Sequence, residues 1–351
     1  MFSSSSSASF HPKVLIVGGD DMCGYYAAME FLRYKKKDSK MKTVRVGYME
    51  KNSPFIKELK DEGAEMYEFD LSSKESIKKM FEECTCAVIT PPIYTKEFMH
   101  CKRVIECAKE SKDLKHCIFM SLLHSEKLDS WERLSHVHEM EKEFRSHMKK
   151  WERGYVVRTT VPLEGFFFLR RMIQEKREMP WPTRNEKVAP CSLKEVSRVI
   201  RYLMFGEYSH DSEAEDFKGL NLNTAIGGVA ERVAAAVGIV SDNDHRSFCL
   251  TGMHKFSGEE MAKECTHALG TEIHLKEMSS DEFARCLMDL NELPHECISV
   301  LKEIAEVIHK GVWDDKFDDL QSLLNKKPMT IQDYFEDNRN DFKPSVSSKF
   351  V

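Results

Sequence analysis

The chain has 351 residues, enough for two lobes or one enlarged domain, with 41% hydrophobic and 31% charged residues, an ordinary globular balance that excludes disordered, collagen-like and membrane chains. Its 52 basic and 58 acidic residues leave a net charge of −6, so bulk charge gives no footprint for nucleic acid or an anionic membrane, although a local patch is still open. Eleven scattered cysteines form no disulfide framework and read as reduced thiols, which points to the cytoplasm or also the nucleus.

The opening MFSSSSSASF carries neither a basic nor an apolar signal region, and residues 1–10 are expected to be a loose serine tail. A β-branched run over 14–17 meets Gly18-Gly19 and then a helical stretch over 22–34, which is strand, tight turn, helix. Alternation continues with strand 43–48, helix 56–62, strand 65–69, helix 77–82, strand 87–90, helix 95–111, strand 117–121, helix 130–150 and strand 155–159. Six strands interleaved with helices predict an α/β fold: a doubly wound parallel Rossmann sheet over 11–165. A smaller mixed α/β C-terminal lobe follows over 166–345.

In that lobe Phe166-Phe167-Phe168 and Met179-Pro180-Trp181-Pro182 read as loops closing over something. A helix is expected over 194–205, then an insertion near 207–246 that is acidic over 207–216 and Gly- and Ala-rich over 221–240. The longest apolar run, 224–240, is broken by Glu231 and Arg232 and is too short to span a bilayer. Strands 247–251 and 272–277, helices 257–269, 280–289 and 297–310, and a helix capped by Thr330 with Asp333 at N3 complete the reading.

The turn after the first strand carries the chemistry. Gly18-Gly19-Asp20-Asp21-Met22-Cys23-Gly24 has the outer spacing of Gly-x-x-Gly-x-x-Gly, in which phosphates approach the backbone at a helix N-terminus. The middle position is Asp21, which puts a Cβ and a negative charge where a pyrophosphate would lie and weakens dinucleotide binding unless the side chain turns away or a cation intervenes. After the second strand, Glu50 suits the ribose hydroxyls of NAD, whereas Lys51 or Lys42 suits the 2′-phosphate of NADP.

On these residues the chain resembles the NmrA-like family of atypical short-chain dehydrogenase/reductases. The resemblance rests on VLIVGGDDMCG, ELKDEGAEMYEFDL, residues 117–121, MEKEFR before YVVRTTVPLEGFF, FSGEEMAKECTHALG and the terminal MTIQDYF. It implies an NAD(P)-binding Rossmann domain, NADP favoured, with a cleft against the second lobe. The cofactor contacts it implies come from Gly18, Gly19, Asp21, Gly24, Glu50, Lys51, Asp70, Leu71, Thr90, Pro91, Ser121 and Thr160, with Asp70 near the adenine. Some members of the family reduce small molecules; others sense the nucleotide and regulate partner proteins without turnover.

The superfamily's Tyr-x-x-x-Lys pair is absent, and Arg133 and Val137 occupy the positions where NmrA-like members often carry His and Lys. Ser121 matches the superfamily's serine but alone supplies no proton near neutral pH. His136 and His138 flank the vacant lysine position, at most one of them facing the cleft, and Ser121 and His138 are the catalytic candidates. No metal site is expected, because Lys142 stands where a second histidine ligand would be needed after His138, and Cys84 and Cys86 have no partner pair.

Three functions stay open: a nucleotide-responsive regulator acting through protein contacts; an NAD(P)H-dependent oxidoreductase for a small carbonyl or quinone, using the cleft near Ser121, His138, Thr160 and Phe166; and a scaffold that has lost the cofactor. The basic cluster Arg33, Lys35, Lys36, Lys37, Lys40 and Lys42 reads as a solvated edge, so direct nucleic-acid binding is not expected. Val229, Val233, Ala236 and Val237 at helical spacing could pack on the core or present a face to a protein partner.

Overall fold

The computed structural model describes residues 12–37, 41–205, 246–290 and 293–343. Its first half alternates β1 (Lys13–Val17), α1 (Met22–Lys37), β2 (Thr43–Tyr48), α2 (Pro54–Asp61), β3 (Glu65–Glu68), α3 (Lys74–Phe81), β4 (Cys86–Ile89), α4 (Lys102–Glu110), β5 (His116–Leu122), α5 (Leu134–His147) and β6 (Arg153–Thr159). The strands lie in the order β3-β2-β1-β4-β5-β6, every pair parallel. All five residues of β1 are buried, as a strand covered by helices on both faces requires. Strand order reverses between β1 and β4, and the crevice outside the carboxyl ends of these two strands is where such a fold binds ligands.

Two of the expected helices are shorter than the sequence implies. The stretch expected over 95–111 becomes a 3₁₀ turn, Phe98–His100, followed by α4. Arg133 holds the loop before it, donating to the carbonyls of Ile93 and Thr95. The helix expected from residue 130 begins at Leu134, because the Glu303 carboxylate accepts the backbone N–H groups of Arg133 and Leu134 and so caps α5 from a distant part of the chain.

Beyond residue 165 the chain both builds a second layer and returns to the first. The aromatic run lies within a 3₁₀ helix, Leu163–Leu169, which leads into α6 (Arg170–Lys176). Residues 178–181 form strand β7 (Glu178–Trp181), so neither segment is the loop the sequence suggested. After α7 (Leu193–Phe205) come β8 (Ser247–Leu250), α8 (Gly258–Leu269), β9 (His274–Glu277), α9 (Ser280–Leu290), α10 (His295–His309), α11 (Asp319–Leu324), α12 (Ile331–Asp337) and α13 (Arg339–Phe342). β7 pairs with β9 in a small parallel sheet, whereas β8 joins the large sheet beside β6 as its seventh strand.

Hydrophobic residues divide into three cores. One lies between the sheet and α1, α7 and α11; the second lies on the opposite face under α3, α4 and α5; the third fills the C-terminal layer around Phe166, Trp181, Trp313 and Phe335. Capping boxes at Ser257 with Glu260 and at Thr330 with Asp333 start α8 and α12. Among the described residues no helix is long and apolar enough to cross a membrane. The serine tail over 1–10, Lys40, the acidic stretch 207–216 and the segment 221–240 lie outside the described residues.

Candidate functional site

The β1–α1 turn is held in a dinucleotide-type backbone. Gly18 has φ +87°, in the left-handed region that favours glycine, and the N–H groups of Gly18 and Gly19 both donate to the Gly47 carbonyl at 3.0 Å. Helix α1 passes so close that a Cβ on Gly24 would lie 2.0 Å from the Gly18 carbonyl oxygen. The outer glycines of the motif therefore serve the turn itself.

Asp21 folds into this turn instead of projecting across the cleft. One carboxyl oxygen accepts the Gly24 N–H at 2.8 Å, the N-cap bond that α1 needs. The other lies 2.7 Å from the Thr90 hydroxyl, and that hydroxyl is also 2.8 Å from the Val17 carbonyl. A threonine hydroxyl has one hydrogen, so both short contacts are satisfied when Thr90 donates to Val17 and Asp21 supplies the second proton. Burial, partly offset by the Gly24 hydrogen bond, pushes the Asp21 carboxyl up to about 7.

Asp20 is arranged differently. Its carboxylate accepts the N–H groups of Met49 and Glu50 at 2.9 and 2.7 Å and the Tyr94 hydroxyl at 2.8 Å. Burial raises this carboxyl too, but three donors and no acceptor make it the site for the negative charge of the pair. Asp20 thereby ties the end of β1 to the end of β2, and Tyr94 closes over both.

These residues form one end of a cavity of about 480 Å³ between the carboxyl edge of the sheet and the C-terminal layer. Thr160, Phe166, Trp181 and Trp313 contribute to its walls, and Leu293, Pro294, Cys297, Val300, Leu301 and Ile304 around α10 close it. Burial, then Asp21, Asp20, Glu296 and Glu50, push the Cys297 thiol up to about 12, placing the start of α10 against the acidic turn. Of the titratable side chains on the cavity wall, four are carboxyls, one is tyrosine and two are thiols; no Lys, Arg or His lies among the described lining residues.

The expected cofactor contacts separate on this map. Asp21, Glu50 and Thr160 line the cavity, and Gly18, Gly19, Gly24 and Thr90 build the turn behind it. Lys51 lies outside the lining, exposed and paired with Glu68 at 2.9 Å. Asp70 is exposed and accepts the backbone N–H and the hydroxyl of Ser72, while Leu71 is buried in the core under α3 and α4. Pro91 is half-buried next to Thr90 and is not a wall residue.

The catalytic candidates lie elsewhere. Leu122 lines the cavity, and its neighbour Ser121 points to the opposite face of the sheet, where it donates to Glu141 at 2.6 Å. Glu141 is buried with Arg158, which holds its carboxyl down at about 2 against the upward pull of burial. His138 is half-buried on α5 and absent from the lining, and His136 packs edge-on to Phe98. Val137 is fully buried, and Arg133 stacks over Phe98 at 4.3 Å, so both positions are committed to packing. Among the described residues no group of His, Cys, Asp and Glu could hold a metal ion.

Several site residues were missed in the sequence. Asp20 pairs with amides about thirty residues later, and the α10 wall arrives from the other end of the chain, so neither carries a local motif.

The backbone cradle fits a pyrophosphate, and the charged side chains around it on the described wall are carboxyls with no Lys, Arg or His among them. Solved structures of the same fold include triphenylmethane reductase from Citrobacter sp. complexed with NADP(H), at 16% identity and a TM-score of 0.62 over 93% of this chain and 99% of that one. The NADPH-dependent quinone oxidoreductase QOR2 of Escherichia coli, complexed with NADPH, gives 14% identity and 0.63 over 91% and 97%. NmrA, a negative transcriptional regulator in complex with NAD, gives 11% and 0.61 over 93% and 95%. No curated protein matches the chain. Residues 13–179 match the model of the NmrA-like family.

Proposed function

We propose that this chain is a non-catalytic NmrA-like protein whose cleft receives a ligand of the NAD(P) class, held weakly, and which acts as a regulator through protein contacts. The observation that carries the reading is that, among the described residues, no group on the cavity wall is both free and poised to give a proton to a substrate. Tyr94 donates to Asp20, and burial raises its phenol well above the usual value, the reverse of what a catalytic tyrosine needs. The Cys23 thiol is raised well above its usual value and Cys297 to about 12. Asp21 has both oxygens engaged inside the turn. The neighbours that carry NADP(H), NADPH and NAD support the ligand class, and the regulator among them supports the role.

The apolar walls favour one other reading, a reductase acting on a small carbonyl or quinone. Calorimetric titration with NADPH, NADP, NADH and NAD, on wild type and Asp21→Gly, separates the two when combined with a turnover assay using quinone acceptors. The expected result is weak binding by wild type, binding at least tenfold tighter by Asp21→Gly, and no consumption of NAD(P)H by either. Steady quinone-dependent oxidation of NADPH by wild type would overturn the proposal, and so would failure of both proteins to bind any of the four nucleotides.

A further inference from the structure

One wall of the cavity is fastened to the sheet at two points, both in the segment between α10 and α11. Trp313, 1% exposed and on the cavity wall, donates its indole N–H to the Leu123 carbonyl at 2.7 Å. Two residues along, the Asp315 carboxylate lies 2.7 Å from Nε2 of His124, just beyond the end of β5. His124 is buried and holds φ +52°, a left-handed conformation that a non-glycine residue keeps only where its surroundings fix it.

The second ring nitrogen also meets a carboxylate, since Nδ1 of His124 lies 3.4 Å from Glu126 Oε1. A neutral imidazole has one N–H and one lone pair, so in either tautomer a lone pair faces a carboxylate; the imidazolium, with two N–H groups, suits both. The contact with His124, against the upward pull of burial and with help from Arg158, holds the Glu126 carboxyl down at about 2. The other charges packed around the ring are engaged with one another. On β6, Arg158 pairs with Glu126 at 3.0 Å and with Glu141 of α5 at 2.7 Å. Asp314 pairs with Lys255, and Lys316 with Asp318, each at 2.8 Å. At the start of α11, Asp319 accepts the Cys249 N–H, and the Cys249 thiol on β8 is pushed up to about 12 by burial and stays neutral. Phe317 meets the His124 ring edge-on at 6.4 Å. The charge on His124 therefore decides whether the contact with Asp315 attracts or repels.

We propose that His124 is a proton-operated latch: its imidazolium ties Asp315, and with it the Trp313 wall of the cavity, to the end of β5, and loss of that proton as pH rises loosens the wall. The sign follows from the two carboxylates, because the proton that leaves turns one N–H contact into a lone pair against a negative oxygen. The proposal goes beyond the regulatory reading and stands without it, since Trp313 reports the latch with no ligand bound.

The test uses the full chain carrying 5-fluorotryptophan, in which 4 tryptophans give separate fluorine signals and that of Trp313 is assigned by its loss in Trp313→Phe. The change of this signal between H2O and D2O reads how far the ring meets water. It should be at least about twofold larger at about pH 9 than at about pH 5, with the same midpoint as the His124 ring protons. Asp21→Asn should keep the rise, which separates the latch from the titrating carboxyl of the turn, and His124→Gln should abolish it. Asp315→Asn, at an exposed position where folding is not at stake, should reduce the rise by about half or more. A Trp313 signal that stays constant over this range, a rise unchanged in Asp315→Asn or in His124→Gln, or a rise lost in Asp21→Asn would each overturn the proposal.

Discussion

Replacing Asp21 by Asn tests whether the proton count in the turn is right. With the proton on Asp21, the carboxyl accepts from Gly24 and donates to Thr90; an Asn side chain, with its carbonyl toward Gly24 and its amide toward Thr90, makes the same two bonds without a titratable group. The folded-state value of about 7 lies above the ordinary 3.8, so the native state holds its proton where the unfolded chain has lost it. Stability from this group is fully present below about pH 4 and is lost as pH rises through about 7. Roughly three pKa units at about 1.4 kcal/mol each give about 4 kcal/mol as an upper bound, and about half of that where the half-buried residue meets water in the cleft. Urea unfolding of wild type and Asp21→Asn at pH 4.5 and pH 8 reads it directly. The variant should lead by about 1 kcal/mol or less at pH 4.5 and by about 2–4 kcal/mol at pH 8. A variant less stable than wild type at pH 8 would mean that Asp21 is held as a carboxylate, and the two-hydrogen argument would fall.

Three further outcomes follow from neighbouring contacts. Glu141→Gln takes from Arg158 its buried carboxylate and leaves only Glu126, 3.0 Å away, which should cost about 3 kcal/mol at pH 7 in denaturant unfolding; because Glu141 is held at about 2, below its usual value, its contribution is present above about pH 4.5 and fades as pH falls toward 2, so the gap between wild type and variant should close in acid. Gly24→Ala drives a Cβ to 2.0 Å from the Gly18 carbonyl, where backbone and not a flexible side chain must yield, and should lower stability by about 2–4 kcal/mol in thermal or urea unfolding. Tyr94→Phe removes one of three donors to Asp20 and should cost about 1–2 kcal/mol in urea unfolding at pH 8.

Much of the architecture was legible because it is local. Alternating strand and helix signals give the parallel sheet, and the short β-branched run before Gly18 gives its central strand. The site was only partly legible, because pairing across the sheet decides which side chains meet. Val17 lies beside Gly47, and this register carries Asp20 to the amides of Met49 and Glu50. Ser121 and Leu122 are adjacent in sequence, yet the twofold repeat of the strand sends Leu122 to the cavity and Ser121 to Glu141. Glu303 caps α5 from about 170 residues away, and no periodicity in either helix reveals that contact.

The turn shows how a dinucleotide-type fold can keep its geometry while the chain itself caps the helix N-terminus. A helix N-terminus facing a cleft presents N–H groups that need an acceptor, and in nucleotide-binding relatives of this architecture a phosphate supplies it. Asp21 supplies one acceptor from within the chain, at Gly24, and Thr90 holds the second oxygen of the same carboxyl. An incoming phosphate would meet an N-terminus already capped, beside a neighbouring carboxylate whose three donors keep its charge in place. Acid relieves part of that opposition, because protonation of Asp21 removes one negative charge and leaves the cap bond intact. Affinity for a nucleotide should therefore rise as pH falls from 8 to 6 in wild type and stay flat in Asp21→Asn over the same range. A wild-type affinity that fell with acid would show instead that the carboxyl of Asp21 assists binding, and the turn would have to be read as an anion site after all.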